Sequence, residues 1–240
     1  GGLVIGAGDV PVNPVQWDGA VRIIRSAYPP IDLFEDIAAP EDWPLLIAAE
    51  QKTNPRLMET LGQIDLVPPD RRVGGPGASY LMAPFTHTSP DRPSRFTDGV
   101  QGALYVARDF ETAVQETVHH HTRFMTAAAQ APGWTSDFRE IVLDIDAALH
   151  DIRGGDPRFA PLLDPDDYAT PQGFARRLRA TGGQGIVYPS VRGARDCAAL
   201  FFPDLARAPR QGRHLGYHWD GARVDLLRDK SSGTVYRITP

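Results

Sequence analysis

The sequence has one cysteine and no long apolar run, and each of these absences excludes a class of protein. Cys197 has no second cysteine to pair with, which excludes an internal disulfide and a multi-cysteine metal cage. The longest uncharged run, residues 73–90, contains three glycines and three prolines, whereas a membrane-spanning helix needs ~18 or more consecutive apolar residues. No basic residue precedes Arg22, so the charged start of a secretory signal is missing. We therefore expect a cytoplasmic protein.

The composition is that of a folded, mildly acidic chain. Apolar residues make up 42% and charged residues 23% of the 240 positions, and the formal net charge is −5. These values lie far from the polar, highly charged compositions that stay disordered. Net acidity also argues against broad nucleic-acid binding, which relies on clustered cations. The 23 glycines and 22 prolines indicate many loops on one folded body.

Hydrophobic patterning and turn residues predict short strands and a few helices in a single domain over residues 1–240. Helices are predicted over 41–58, from Phe110 to about Ala129 with Asp109 as N-cap, and over 172–180. Strands are predicted over these segments: 20–25, 78–82, 102–107, 140–145, 185–190, 198–202, 214–219 and 234–238. The strands outnumber the helices and do not alternate with them, which predicts an α+β fold and not a doubly wound sheet.

Several familiar motifs are absent or incomplete. The segment Gly6-x-Gly8 lacks the third glycine and the following helix of a dinucleotide-binding turn, and residues 74–77 lack the Lys-Ser/Thr of a phosphate loop. Consecutive histidines at 119–121 point in different directions on a helix, and the zinc pattern His-Glu-x-x-His is missing. No Gly-x-Ser-x-Gly elbow occurs. We expect no metal site.

Three blocks, taken in order, resemble the RES-domain toxins of bacterial toxin–antitoxin pairs. They are Val21-Arg22-Ile23, then Arg95-Phe96 followed by residues 102–116, and finally residues 185–192. Members of this family have a strand ending Leu-Tyr-(Leu/Val)-(Ala/Ser), a helix with Ala-x-x-Glu, and a later Pro-Ser after a strand. The resemblance extends from about residue 20 to residue 203.

The chain also departs from the family pattern. Ser94-Arg95-Phe96-Thr97 stands where the family often has Gly-Arg-Trp-Asn, and the Asn expected soon after Ser190 is not evident. The spacing from Arg22 to Arg95 is longer than in the family. We therefore predict an N-terminal extension over 1–18 and a Pro/Gly-rich insertion over 32–93, which is a candidate surface for a partner or a protein substrate.

The resemblance implies a fold similar to ADP-ribosyltransferases, with a cleft that binds NAD+ as a consumed substrate. Cleavage of the nicotinamide–ribose bond creates a positively charged, oxocarbenium-like ribose, which a carboxylate stabilises, and Glu116 is the candidate. The planar guanidinium groups of Arg22 and Arg95 suit the pyrophosphate. No metal is required.

Further roles follow from the same resemblance. Tyr105 and Tyr28 offer aromatic faces for stacking on nicotinamide. Ser190 either donates a hydrogen bond to the nicotinamide amide or supports Glu116. The catalytic candidates are therefore Glu116 and Ser190, and the NAD+-binding candidates are Arg22, Tyr28, Arg95 and Tyr105.

The implied function is that of a toxin which transfers ADP-ribose from NAD+ to a cellular protein and arrests growth. One alternative is an NAD+ glycohydrolase or phosphorylase that depletes free NAD+. Another, motivated by the altered residues 95–97, is a catalytically inactive module that binds the antitoxin. The expected partner is an Xre-like antitoxin that covers the active site and makes the DNA contact, so the toxin itself would contact neither DNA nor membrane.

Overall fold

The structure, a computed structural model, describes residues 4–26 and 62–239. The helix predicted over 41–58 and the candidate Tyr28 lie outside these ranges. Eight strands are present in them: β1 (Val12–Arg25), β2 (Leu104–Ala107), β3 (Thr135–Asp151), β4 (Gly185–Pro189), β5 (Asp196–Leu200), β6 (Ala206–Trp219), β7 (Val224–Asp229) and β8 (Val235–Arg237). The three α-helices of the described ranges are α1 (Ala78–Thr86), α2 (Phe110–Ala127) and α3 (Ala169–Ala180).

Five of the strands pair in a closed ring. β1 pairs with β2 and β3, β5 joins β2 to β4, and β4 pairs with the end of β3. Only the β3–β4 pairing is parallel, so the sheet is mixed. The predicted α+β class is therefore confirmed. β6, β7 and β8 continue the sheet from the first half of β3.

Strands β1 and β3 are longer than the sequence predicts. They pair from Val12 opposite His150 to Arg25 opposite Phe138, with an irregularity between Trp17 and Ala20. Gly19 has a φ of 73° at this irregularity, a conformation that glycine adopts without steric cost. The last residues of the predicted extension, 12–18, thus lie in the central sheet.

The prediction of a strand over 78–82 is wrong, because this segment begins α1. Ala78, Leu81, Met82 and Phe85 are all buried, which is the i, i+3, i+4, i+7 spacing of one helix face. The pattern is visible only when the window extends past Pro84, which lies inside the helix. α1 packs in one cluster with strands of the ring, so part of the predicted insertion is core. Whether residues 32–93 are an insertion relative to the family stays a prediction.

The other two helices follow the sequence signals. Asp109 caps α2 by accepting a hydrogen bond from the Thr112 N–H, as predicted. One buried cluster contains residues of α2 and of β6 and β7, and another contains residues of α3, β4 and β5. Ala113 of α2 also belongs to the cluster that contains α3, so α2 contributes to both parts of the core. No helix among the described residues is long and apolar enough to cross a membrane.

Candidate active site

A cleft of about 820 Å³ opens beside the edge where β1 and β2 meet. These strands are paired at one position, Val21 opposite Ala107, and side chains from both of them line the cleft. α2 supplies one side, and the loop before Arg95 and the residue preceding α3 supply others. A volume of this size is typical of a site for a small organic molecule.

Arg22 extends from β1 into this cleft. Its Nη1 donates a hydrogen bond to the backbone oxygen of Tyr105 at 3.0 Å, beyond the single paired position of β1 and β2. Burial lowers the pKa of Arg22 from 12.5 to about 10. The guanidinium is therefore still charged at neutral pH, but it is poorly solvated and has no carboxylate partner within residues 4–26 and 62–239.

The phenol of Tyr105 fixes the turn that carries Arg95. Its hydroxyl lies 2.7 Å from Ser94 Oγ and accepts a hydrogen bond from the Phe96 N–H at 2.9 Å. Gln172 of α3 donates to the Ser94 carbonyl from the other side. Burial raises the pKa of Tyr105, so the phenol remains protonated at neutral pH. The backbone on both sides of Arg95 is thus held by side chains of two elements.

Arg95 is only 6% exposed although it lines the cleft. Its Nη1 donates to two backbone carbonyls, those of Leu162 at 3.2 Å and Asp164 at 2.6 Å. The Nη2 group is buried and has no hydrogen-bond partner among the described residues. An unpaired buried guanidinium nitrogen is costly, so part of the Arg95 guanidinium is poorly compensated in this wall of the cleft.

Glu116 projects from α2 between a hydroxyl and a guanidinium. Ser190 Oγ donates a hydrogen bond to Oε1 at 2.5 Å, and Arg192 Nη1 lies 3.6 Å from Oε2. The Glu116 side chain is 22% exposed, so it remains accessible from the cleft. Both carboxylate oxygens therefore have a partner, and the group is fixed in one orientation.

The Ser190 hydroxyl has a single proton, and the structure indicates where it goes. Ser190 Oγ accepts hydrogen bonds from the N–H groups of Gly193 at 2.7 Å and Arg192 at 3.2 Å. With both acceptor positions taken, the proton is directed at Glu116. Of the two roles considered for Ser190, the geometry favours support of Glu116 over donation to the nicotinamide amide.

A buried thiol and a buried phenol complete the inner wall. Burial raises the pKa of Cys197 to about 12, so the thiol remains protonated and is a poor nucleophile. Burial also raises the pKa of Tyr188, whose ring meets the Phe96 ring edge-on at 5.0 Å. The wall next to Glu116 is thus neutral and poorly solvated, which strengthens electrostatic interactions in the cleft.

The lining of the cleft is strongly cationic in a chain of net charge −5. Five arginines line it against two carboxylates: Arg22, Arg92, Arg95, Arg123 and Arg192 against Asp91 and Glu116. Among the described residues, the pair of Arg192 and Glu116 is the only ion pair within this set. A cleft lined by unpaired guanidinium groups attracts anions.

The structure brings together five of the six predicted site residues: Glu116, Ser190, Arg22, Arg95 and Tyr105. Tyr28 lies outside the described residues. Sequence reasoning missed Tyr168 and Arg192, which also line the cleft. Arg192 could have been noticed because it follows Ser190 by two positions, whereas nothing local marks Tyr168.

The three consecutive histidines point in different directions, as expected on a helix. His120 lines the cleft, while His121 is buried against Ser136, with Nε2 2.9 Å from the hydroxyl. Burial lowers the pKa of each of these imidazoles to about 4, so they are neutral at neutral pH. Within residues 4–26 and 62–239 no group of three or more His, Cys, Asp or Glu side chains is placed to bind a metal ion.

Comparison with known proteins identifies a family, a similar protein sequence and similar solved structures. A protein-family model described as RES domain matches residues 69–220, a range that contains every candidate above except Arg22 and Tyr28. The chain is 29% identical over 216 residues to the uncharacterized protein y4oC of Sinorhizobium fredii (strain NBRC 101917 / NGR234), covering 88% of this chain and 86% of that protein. It is also similar to a chain in the crystal structure of the M. tuberculosis MbcT–MbcA toxin–antitoxin complex, with 12% identity, a TM-score of 0.43, and coverage of 85% and 87% of the two chains.

Proposed function

The chain belongs to the RES domain family, and from this premise we propose that it is the toxin of a toxin–antitoxin pair whose substrate is NAD+. In this proposal the enzyme breaks the nicotinamide–ribose bond and transfers ADP-ribose to a cellular protein. The observation that carries the proposal is the Glu116 carboxylate, held by Ser190 and Arg192 at the side of an arginine-lined cleft.

The proposed reaction is a heterolytic cleavage. The bond between ribose C1′ and the pyridinium nitrogen breaks, its electron pair leaves with neutral nicotinamide, and the ribose carries the positive charge of an oxocarbenium ion. A nucleophile of the acceptor then bonds to C1′ and loses its proton to the surroundings. An oriented carboxylate near the ribose stabilises the developing charge and does not need to reorganise during the reaction. Glu116 fits this role because its partners fix both of its oxygens.

The arginines suit the pyrophosphate of NAD+. Arg22 and Arg95 each donate to backbone carbonyls and have no carboxylate partner among the described residues. Both residues line the cleft. Charge-assisted hydrogen bonds to phosphate oxygens would satisfy these groups, whereas a neutral ligand would leave them unpaired.

We propose Tyr105 as a positioning residue as well as part of the cleft wall. Its hydroxyl and its backbone oxygen are both engaged, with the turn of Arg95 and with Arg22 respectively. A ring fixed in this way also presents a rigid surface for nicotinamide. Tyr28 remains a candidate from the resemblance alone.

Incubation with NAD+ labelled in the adenylate half, together with a cell lysate, tests the proposed acceptor. Label on a protein band supports transfer. Free ADP-ribose or its phosphate without a labelled band supports the alternative, an NAD+ glycohydrolase or phosphorylase. No loss of NAD+ over hours, with antitoxin binding intact, would favour the inactive binding module and contradict the proposal.

An enzyme that consumes NAD+ in the cytoplasm would harm its own cell, so the proposal includes a neutralising partner. We propose an Xre-like antitoxin that covers the cleft and binds DNA on behalf of the complex. Expression of the chain alone should arrest growth, and co-expression of the antitoxin should restore it. Unimpaired growth with the soluble wild-type chain and no antitoxin would contradict this part of the proposal.

A further inference from the structure

Tyr168 lies at the start of α3, and the needs of the helix do not explain why this residue is a tyrosine. It is the N-cap residue of α3, where Ser, Thr, Asp or Asn is usual, and its side chain makes no capping hydrogen bond. The preceding residue, Asp167, performs that task by accepting from the N–H groups of Ala169 and Thr170. The Tyr168 side chain is instead half-buried and lines the cleft.

Arg95 holds Tyr168 in place in two ways. Its Nη1 binds the carbonyls of Leu162 and Asp164, which begin the segment that leads to Tyr168. Its guanidinium carbon also lies 5.1 Å from the centroid of the Tyr168 ring. Arg95 is itself 6% exposed, and Tyr105 binds the turn that carries it. The Tyr168 ring therefore contacts a side chain that is held in place. A binding surface that is ordered in advance loses little entropy when a ligand arrives.

The position of Tyr168 relative to the charged groups indicates the kind of ligand part it meets. The ring is next to the Arg95 guanidinium in a cleft lined by further arginines, so an anionic group bound in this cleft lies near the aromatic ring. A nucleotide combines these two features, because its phosphates are joined through a ribose to a planar heteroaromatic ring. Such rings stack on tyrosine irrespective of their hydrogen-bonding pattern.

We propose that Tyr168 is a substrate-binding residue that stacks on a planar heteroaromatic ring of the nucleotide, positioned there by Arg95. This inference rests on the proposed function, since the ligand is taken to be NAD+. It assigns an aromatic wall to the segment before α3, on a different element from Glu116 and Ser190.

Equilibrium binding of NAD+ to a Glu116→Gln protein, which is expected to bind without turnover, tests the inference. Tyr168→Phe keeps the aromatic ring and should bind within about threefold of its parent. Tyr168→Leu keeps apolar bulk but loses the aromatic face and should bind about 5- to 150-fold more weakly, the range found for loss of base stacking on alanine substitution. Tyr236→Ala removes an exposed tyrosine of β8 and is the control, with no expected change.

Nicotinamide mononucleotide, which lacks the adenosine half, identifies the stacked ring. If Tyr168→Leu weakens the binding of nicotinamide mononucleotide as much as that of NAD+, the stacked ring is nicotinamide. If the variant weakens only the binding of NAD+, the stacked ring is adenine. Equal NAD+ affinity in Tyr168→Phe and Tyr168→Leu would overturn the inference and leave the proposed function intact. Absence of NAD+ binding to the parent, and to wild type, would overturn both.

Discussion

Replacement of Arg22 by methionine is predicted to stabilise the protein while abolishing its proposed activity. Burial lowers the pKa of Arg22 from 12.5 to about 10, which means that the folded state disfavours the charged form relative to the unfolded chain. Each pKa unit is worth about 1.4 kcal/mol, so the difference between 12.5 and 10 costs at most about 3–4 kcal/mol. Solvent at the open side of the cleft screens the charge and reduces the figure.

Part of that gain is lost with the arginine's hydrogen bond. Arg22 donates to the Tyr105 carbonyl at 3.0 Å, and removal of such a bond costs about 1 kcal/mol. The expected net effect of Arg22→Met is therefore a gain of about 1–2 kcal/mol in the free energy of unfolding. For a domain of this size the gain corresponds to a rise in Tm of roughly 2–8 °C.

The measurement is urea unfolding of wild type and Arg22→Met at pH 7, with NAD+ consumption assayed on the same preparations. Arg207→Met is the matched control, because that arginine is exposed on β6 and its removal should change the free energy by less than about 0.5 kcal/mol. The penalty is fully present below pH 10 and declines only as the pH rises from about 10 toward 12.5. The gain should therefore be the same at pH 6.5 and pH 9. A loss of more than 1 kcal/mol in Arg22→Met would refute the reasoning and make Arg22 a structural residue.

Three further predictions concern the support of Glu116 and the histidines of α2. Ser190→Ala removes the donor to Glu116 and should lower kcat by about 100-fold, whereas Ser190→Thr should retain more than a tenth of the activity. In Gly193→Ala the new Cβ would lie 2.6 Å from a side-chain atom of α2, so turnover should fall. Gly173→Ala is the control, because the nearest atom to its new Cβ is 3.5 Å away. Equal activity of the two variants would contradict the predicted loss in Gly193→Ala. His121 is 5% exposed and burial lowers its pKa to about 4, so the unfolded state alone gains this proton between pH 6.5 and 4. His121 should therefore contribute roughly 3 kcal/mol to the fall in wild-type stability over that interval, and His119 and His120 contribute as well. Urea unfolding of His121→Gln should show a smaller fall, and an equal fall would contradict the assignment.

The elements predicted correctly are those whose signals are local. The start of α2 depends on Asp109 accepting from the amide of Thr112, three residues later, and that contact is visible in the sequence as a capping pattern. The predicted end of the third helix at residue 180 is similarly local, because Gly182 follows it with a φ of 82°. Such features need no knowledge of the tertiary fold.

The errors arise where the determinant is distant or needs a longer window. α1 resembles a strand over its first five residues, and only burial of Phe85 completes the helical spacing. β7, which the sequence analysis did not predict, contains charged residues in Val224–Asp229 and is fixed by its pairing with β6. Its stability comes from that partner and not from its own pattern.

The candidate site contains residues that the sequence predicts and contacts that it does not. Glu116 and Ser190 are 74 residues apart, and the resemblance to a family predicts that they belong to one site. Arg95, which the resemblance assigns to NAD+ binding, lines the cleft and also donates through Nη1 to the carbonyls of Leu162 and Asp164. No sequence pattern predicts which backbone carbonyls a guanidinium will meet. Tyr168 escaped notice for the same reason.

Nicotinamide release from NAD+ by purified Glu116→Gln protein tests the central claim most directly. Glu111→Gln is the matched control, because it makes the same chemical change at an exposed position in the first turn of α2. We predict that wild type and Glu111→Gln release nicotinamide at similar rates, and that Glu116→Gln is at least about 100-fold slower while its unfolding curve is unchanged. Release by Glu116→Gln at the wild-type rate would contradict the assignment of Glu116, and no release by folded wild type in the presence of lysate would contradict the proposed reaction.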